Sequence, residues 1–449
     1  MAQLRSVLTH LRGVVQGARQ TVTAVGSYFP ARGFALLLAS CIASGVTAWA
    51  QAIPPAPVAA NALTLQQVIE LARTKNPNLL AAQQNLLSVR AQEIQAGVRT
   101  NPNLTGVGTD VTNSASNPAS PYNYGVQVSR LFERGEKRRW RLDTARSTTD
   151  QTRDQYVLQE QQTIFAVKQA FTSMLLAKAA VKLAQDNLRD FRRQLDINKA
   201  RYDAGDIGKL DYERLDLQMA QFETDESSAE ASLSQTSYQL QTLIGSDHPN
   251  NSFDIAGDIV PPGVTSTLTD LEQRALAARP DYKAAQAAIR VADAEVKLAY
   301  ANGTTDPTLE GEYDRVGTYN SAGFNISIPL RIFDRNQGNK ETSKYVAQAS
   351  RFSEIAARNQ VYSDVDQAWV GYTTSKVLAD RYNGHYLDEA KDVLSIAEFA
   401  YQHGGLGLID YLNALQDDRT TTLNALNAYA QTWMAIHQLS FATATEVIP

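Results

Sequence analysis

Two stretches decide the fold: Tyr202-Asp203-Ala204-Gly205-Asp206-Ile207-Gly208-Lys209-Leu210-Asp211-Tyr212 and Tyr401-Gln402-His403-Gly404-Gly405-Leu406-Gly407-Leu408-Ile409-Asp410-Tyr411. Both read Tyr-x2-Gly-x2-Gly-x-(Leu/Ile)-Asp-Tyr, 199 residues apart. Each interrupts a long helical pattern, and an apolar helical pattern resumes just after it. Glycine at fixed places lets the chain turn sharply at low cost. Each stretch is therefore expected to be the tip of a long helical hairpin, one per half of the chain. Two more pairs extend the duplication. Pro77, Ala81, Ala82 and Gln83 match Pro280, Ala284, Ala285 and Gln286, and Leu131-Phe132-Glu133-Arg134 matches Ile332-Phe333-Asp334-Arg335. Three landmarks in one order at nearly one offset mark a tandem repeat.

Working outward, Leu65 to Lys75 reads as a short helix broken at Asn76-Pro77, and Asn78 to Arg99 as a second, ended by Asn101-Pro102. Residues 103–111 and 122–131 change to period two, with Tyr124, Val126 and Val128 alternating with Gly125, Gln127 and Ser129. Val167, Met174, Val181, Leu188, Leu195 and Tyr202 then fall every seven residues, a heptad seam. A helix over 136–203 would be roughly 100 Å long, with a return arm over 209–244. The second half repeats the scheme: helices over 268–278 and 281–301, strands near 308–316 and 322–330, then a proline-free run to Pro449. The divisions are thus a signal peptide (1–50), a flexible segment (51–62), a first repeat (63–244), a link (245–267), a second repeat (268–443) and a tail (444–449).

Residues 1–50 carry Arg5, Arg12, Arg19 and Arg32 and no acid. An uncharged apolar stretch from Phe34 to Ala50 ends in Ala48-Trp49-Ala50, a small-x-small cleavage pattern. Cys41 is the single cysteine, and Leu38-Ala39-Ser40-Cys41 resembles a lipobox, whose cysteine is acylated after cleavage. Cleavage after Ala50 would instead leave no cysteine. No later run reads as apolar enough for a membrane helix, so the exported chain is soluble or meets a membrane through strands. The net charge of −5, with no basic tail, argues against nucleic acid.

In the last strand Phe324, Ile326 and Ile328 alternate with Asn325 and Ser327. Such a face suits a sheet on a soluble core and equally a membrane barrel with a wet lumen. Four strands cannot close a barrel, since about eight are needed and at eight the interior is filled. Three copies would supply twelve and leave no edge unpaired in lipid.

The order helix, strand pair, long hairpin, repeated once, resembles the TolC family of outer-membrane efflux channels. The residues that carry the likeness are Leu63-Thr64-Leu65 with Asn76-Pro77, the paired tips, and Ile328-Pro329-Leu330 through Phe333-Asp334-Arg335-Asn336-Gln337-Gly338-Asn339. The resemblance implies a mainly α protomer with a small β part. It implies a homotrimer with a 12-strand β-barrel in outer-membrane lipid and an α-barrel in the periplasm. It also implies partnership with a periplasmic adaptor and an inner-membrane pump of the RND type, and no cofactor. The Phe333–Asn339 stretch is similar to the cation-efflux branch, which implies divalent metal cations as cargo.

By the same resemblance Gly205, Gly208, Leu210, Gly404, Gly407 and Ile409 would meet the adaptor. The other reading is that these glycines only permit the turn. Asp410 stands where the family carries an acidic ring at the periplasmic constriction; one turn later, where a second acid is common, this chain has Asn413. Three copies of one carboxylate around an axis would attract cations. Asp410 and Asp211 equally suit the positive end of a helix. Tyr122, Tyr124, Tyr313, Phe324 and Phe333 bracket the strands as interface aromatics or as core. Arg134, Lys137, Arg138, Arg139 and Arg141 read as a solvated helix start.

Enzymatic chemistry finds no footing. His10, His248, His385, His403 and His437 are scattered, and there is neither a phosphate loop nor a Gly-x-Ser-x-Gly elbow. A soluble periplasmic coiled-coil adaptor or scaffold, its strands folded on a core, is the competing reading.

Overall fold

Thr64 opens the first helix with a reciprocal cap: its Oγ1 accepts from Gln67 N–H, and Gln67 Oε1 accepts from Thr64 N–H at 2.9 Å. The computed structural model describes residues 62–109 and 123–448; the export signal, Cys41 and Tyr122 lie outside them. The first half runs α1 (Leu65–Lys75), α2 (Pro77–Gly97), β1 (Asn103–Thr109), β2 (Asn123–Leu131), α3 (Lys137–Asp203) and α4 (Lys209–Leu243). The second runs α5 (Leu268–Ala278), α6 (Pro280–Asn302), β3 (Thr308–Val316), β4 (Tyr319–Ser327), α7 (Gln337–Arg381), a π-helical turn (Tyr382–Tyr386), α8 (Leu387–Gln402) and α9 (Leu408–Thr443). The halves agree in detail. Asn76, between α1 and α2, donates to Leu243 O at the end of α4 at 2.7 Å. Arg279, between α5 and α6, donates to Ala442 O at the end of α9 at 3.3 Å.

β4 starts at Tyr319, three residues ahead of the expected 322. A two-residue turn follows β3, with Gly317 at φ +61°, and the strand ends ahead of Pro329, which has no N–H for the ladder. The second proline-free run is broken by the π turn, which its sequence does not announce.

Each half packs its own core. Val68, Ile69 and Ala72 of α1 meet Val167, Phe171, Met174 and Leu175 of α3 and Leu240 of α4. Leu271 and Ala275 of α5 meet Val361, Val365 and Tyr372 of α7 and Ile436 and Leu439 of α9. Complete burial of one such Leu or Ile is worth about 1.5–3 kcal/mol. The middle of α3 is by composition apolar enough to cross a membrane, contrary to expectation, but these core contacts occupy it. Residues 245–267 are more than a link. Leu63 and Ile255 form a bridge, and Ile255 is fully buried.

The four strands form one antiparallel sheet in the order β1-β2-β3-β4, so β2 and β3 join the halves while β1 and β4 are its edges. Register puts Val128 between Leu104 and Gly311, Val126 beside Tyr313, and Arg130 beside Leu309, which faces Ile326. On this face Leu104, Tyr124, Val126, Val128, Tyr313, Phe324 and Ile326 are all exposed. The apolar face does not lie on a core, which a soluble scaffold would require. On the other face Glu310, Glu312 and Asp314 of β3 line up with Ser129, Gln127 and Gly125 of β2.

Lys137 departs from its expected place as a solvated residue. It is buried at the start of α3, and its Nζ reaches Asp306 Oδ2 at 2.5 Å and Thr304 O at 2.9 Å in the second half.

Candidate functional site: the paired helical turns

Both turns are built alike, and their glycines fall into two kinds. Gly205 follows α3 with φ +85° and Gly404 follows α8 with φ +74°. Asp206 N–H donates to Arg201 O and Gly405 N–H to Ala400 O, each at 2.8 Å, which closes the helix ends as a left-handed residue permits. These two glycines are needed by the backbone. Gly208 and Gly407 are the N-caps of α4 and α9, at φ −74° and −75°, where any residue fits. Nothing lies within 4 Å of where a Cβ on Gly208 would stand, and at Gly407 only Asp410 Oδ2 does, at 3.5 Å. Neither backbone nor neighbours require glycine there, so the turn reading covers one pair and leaves the other to a different cause.

The flanking tyrosines hold each turn shut. Tyr202 and Tyr212 stack with ring centres 5.1 Å apart, and so do Tyr401 and Tyr411. The surroundings differ. Tyr202 and Tyr212 are partly exposed, whereas Tyr401 and Tyr411 are buried with Leu188, Phe191, Leu215 and Phe222 from α3 and α4. Tyr401 Oη donates to Asn198 Oδ1 at 2.8 Å, and Arg201 lies over the Tyr401 ring. Burial raises the pKa of both Tyr401 and Tyr411, so both hydroxyls stay protonated. The second turn is thus tied to the first hairpin. Nothing in the sequence pattern pointed to Asn198; its one signal is a polar residue on the buried side of a helix that carries a heptad seam.

Leu210 and Ile409 are exposed at 61% and 54% beside the two caps. Asp211 and Asp410 occupy the first turns of α4 and α9, the positive ends of those helices. Asp410 and Asn413 are both exposed. His403 Nδ1 contacts Phe399 O at 2.8 Å, and its ring packs on Phe399. Among the described residues no cluster of His, Cys, Asp or Glu is arranged to hold a metal ion.

Residues 68–246 match the outer membrane efflux protein family. The cobalt-zinc-cadmium resistance protein CzcC of Cupriavidus metallidurans is 26% identical over 379 residues, 84% of this chain and 89% of that protein. The outer membrane protein TolC of Vibrio cholerae is 22% identical over 400 residues, 85% of this chain and 90% of that one. The chain is similar to TolC-family outer-membrane efflux proteins. Solved structures agree on the fold. A crystal structure of CusC matches with a TM-score of 0.72 at 18% identity, covering 84% of this chain and 91% of that one. The outer-membrane channel OprN matches with a TM-score of 0.71 at 17% identity, covering 86% and 91%. The protomer fold is that of a TolC-like channel, mainly helical with one small sheet.

Proposed function

We propose that this chain is a TolC-family outer-membrane efflux protein whose copies close head to tail into a passive trimeric conduit, a β-barrel in the outer membrane continued by a helical barrel in the periplasm. One observation carries this reading: among the described residues there is a single four-stranded sheet, with two unpaired edges and an exposed apolar face. Inside the chain the first repeat meets the second through β2 on β3, α3 on α6 and α3 on α9. The same joint made once more, from the second repeat to the first repeat of another copy, would pair β4 with β1 and α7 with α2. Such a joint uses two different surfaces and so builds a ring, and three copies bring twelve strands.

The tips are where a periplasmic adaptor would dock, with an RND-type pump beyond it. Gly208 and Gly407, free of any structural demand for glycine, keep the surface low so that a partner backbone can approach, and Leu210 and Ile409 offer apolar contact beside them. Asp410 and Asn413 would line the periplasmic constriction. Divalent cations are the proposed cargo. The resemblance to a cobalt-zinc-cadmium resistance protein supports this, as do Glu310, Glu312 and Asp314 on the polar face of β3, which would line the barrel in triplicate.

Membrane fractionation with native-size analysis tests the conduit: an outer-membrane oligomer is expected, and a monomer in the soluble periplasm would reject it. Deleting the protein should lower tolerance to divalent metals more than to organic toxicants; the opposite order would reject the cargo.

A further inference from the structure

α2 and α6 correspond position for position at an offset of 203, fixed by the caps Thr64 and Thr267 and by Pro77 and Pro280. The side of α6 that faces α3 carries Ala287, Ala294 and Ala301, all buried, flanked by Lys283, Arg290 and Lys297. The cations reach across to α3. Lys297 Nζ lies 4.9 Å from the Trp140 ring centre, and burial raises the pKa of Asp154, an effect that Arg290 and Lys283 partly offset. The equivalents of the three cations on α2 are Leu80, Leu87 and Ile94, exposed at 41%, 48% and 74%. Gln84, Ala91 and Val98, the equivalents of the buried alanines, are exposed as well. The row lies opposite the α2 side that packs on α3, and no element of the described chain covers it.

α3 and α7 correspond at an offset of 201, fixed by Leu131-Phe132-Glu133-Arg134 and Ile332-Phe333-Asp334-Arg335 just ahead of them. Where α3 carries Thr144, Thr148 and Gln151, on the side of Trp140 and Asp154, α7 carries Tyr345, Ala349 and Phe352. Thr144, Thr148 and Gln151 are half-buried, whereas Tyr345 and Phe352 are exposed at 67% and 72%. The joint inside the chain is thus small, polar and cationic, while the two open rows are aliphatic and aromatic. Both members of the pair differ together.

We propose that Leu80, Leu87 and Ile94 of α2 are the subunit-joining row, seated against Tyr345 and Phe352 of α7 in a second copy of this chain, and that Lys283, Arg290 and Lys297 bar α6 from that seat. The proposal rests on the ring assembly above and adds the residues that sort its two joints. Exchanging partners would take Lys297 from Trp140 and Lys283 and Arg290 from Asp154, or bury Leu and Ile on the Thr row. Either mispairing is disfavoured, so chains can close only second repeat to first.

The full chain is purified from membranes in detergent, and oligomer is read by native mass spectrometry beside far-UV circular dichroism. Leu80→Lys/Leu87→Arg/Ile94→Lys should lower the assembled fraction at least tenfold with helix content unchanged, because the α2 side packed on α3 is untouched. Asn78→Lys/Asn85→Lys/Gln92→Lys, exposed off the row, should assemble as wild type. Adding Tyr345→Thr/Phe352→Gln to the first triple should restore assembly, since that recreates the internal joint. Independently, in a Cys41→Ser background, Leu87→Cys combined with Tyr345→Cys or Phe352→Cys should give disulfide-linked oligomers. Normal assembly of the first triple, or failure of both cysteine pairs to cross-link, overturns the proposal even where the triple misfolds. A monomeric wild type would instead overturn the conduit itself.

Discussion

Replacing the four tip glycines one at a time should split them into two pairs. Gly205 and Gly404 sit at φ +85° and +74°, where an L side chain costs about 1–2 kcal/mol. Because about 1.4 kcal/mol is a factor of ten, Gly404→Ala should raise local opening of the 401–411 turn about five- to thirtyfold. Gly407 sits at φ −75° as an N-cap with no side chain to offer. Gly407→Ser adds a hydroxyl that can accept from the bare amides of α9, worth a few tenths of a kcal/mol over glycine, and narrows the unfolded ensemble by about 0.4–1 kcal/mol more. That turn should open less often than in wild type. Gly208→Ser should do the same for α4. Amide hydrogen exchange of the tip segments in the detergent-solubilised oligomer reads both effects. Export then separates shape from stability: Gly407→Trp should leave exchange near wild type and yet cost metal tolerance, because the bulk stands where a partner would approach. If Gly407→Ser opened the turn as much as Gly404→Ala, the division of the glycines would be wrong. If Gly407→Trp exported normally, the docking role would fall.

Other outcomes follow from single contacts. Asn198→Ala removes the acceptor of the buried Tyr401 hydroxyl, a loss of about 1–3 kcal/mol, and should speed exchange in 401–411 while leaving 202–212 unchanged. Lys137→Met strands Asp306. Burial would raise that carboxyl's pKa, but the Lys137 ammonium and the Arg134 amide outweigh it and hold the pKa below the usual range. A depressed carboxylate stabilises the fold above its unfolded value of about 3.9 and loses this as pH falls through its folded value. The gap between wild-type and Lys137→Met denaturation midpoints should therefore narrow from pH 7 to pH 3. His437 is buried beside Lys168, and burial first, then that charge, lowers its pKa to about 3. The unfolded chain, with a His pKa of about 6.5, takes up a proton that the folded chain refuses. Stability should thus fall as pH drops from about 6 towards 4, and His437→Gln should flatten that slope in thermal melts. Glu310→Gln/Glu312→Gln/Asp314→Asn should lower cation-over-anion selectivity in planar bilayers; unchanged selectivity would place those carboxylates outside the lumen.

Periodicity made the long elements legible. Of the heptad series, Val167, Met174 and Leu188 are buried and Val181, Leu195 and Tyr202 half-buried, because a seam that returns to one side of a helix is covered along its length. Proline and glycine gave most boundaries, and β4 was misplaced because Ile328 continues the alternation although Pro329 forbids the ladder. The basic cluster misled for a different reason. Lys137 owes its burial to Asp306 and Thr304, about 170 residues away, and no local pattern reports a partner so distant. The tips were legible as turns because Gly205 and Gly404 need positive φ. Their unequal surroundings were not, since those depend on which half packs against which.

That inequality follows from using one joint twice in different ways. The second turn lies against α3 and α4 of its own chain, and Tyr401 finds Asn198 there. The first turn has the same tyrosine stack but no such bed among the described residues; its Tyr202 and Tyr212 are partly exposed. Were a next copy to supply a bed, it would not be the same one. The residue of α8 equivalent to Asn198 is Ala397, which has no oxygen on its side chain to accept from Tyr202. A ring of three such chains would alternate hydrogen-bonded turns with turns held by packing alone. An adaptor meeting six tips would then meet two kinds of surface, three firm and three easier to displace, although the sequence motif at all six is the same.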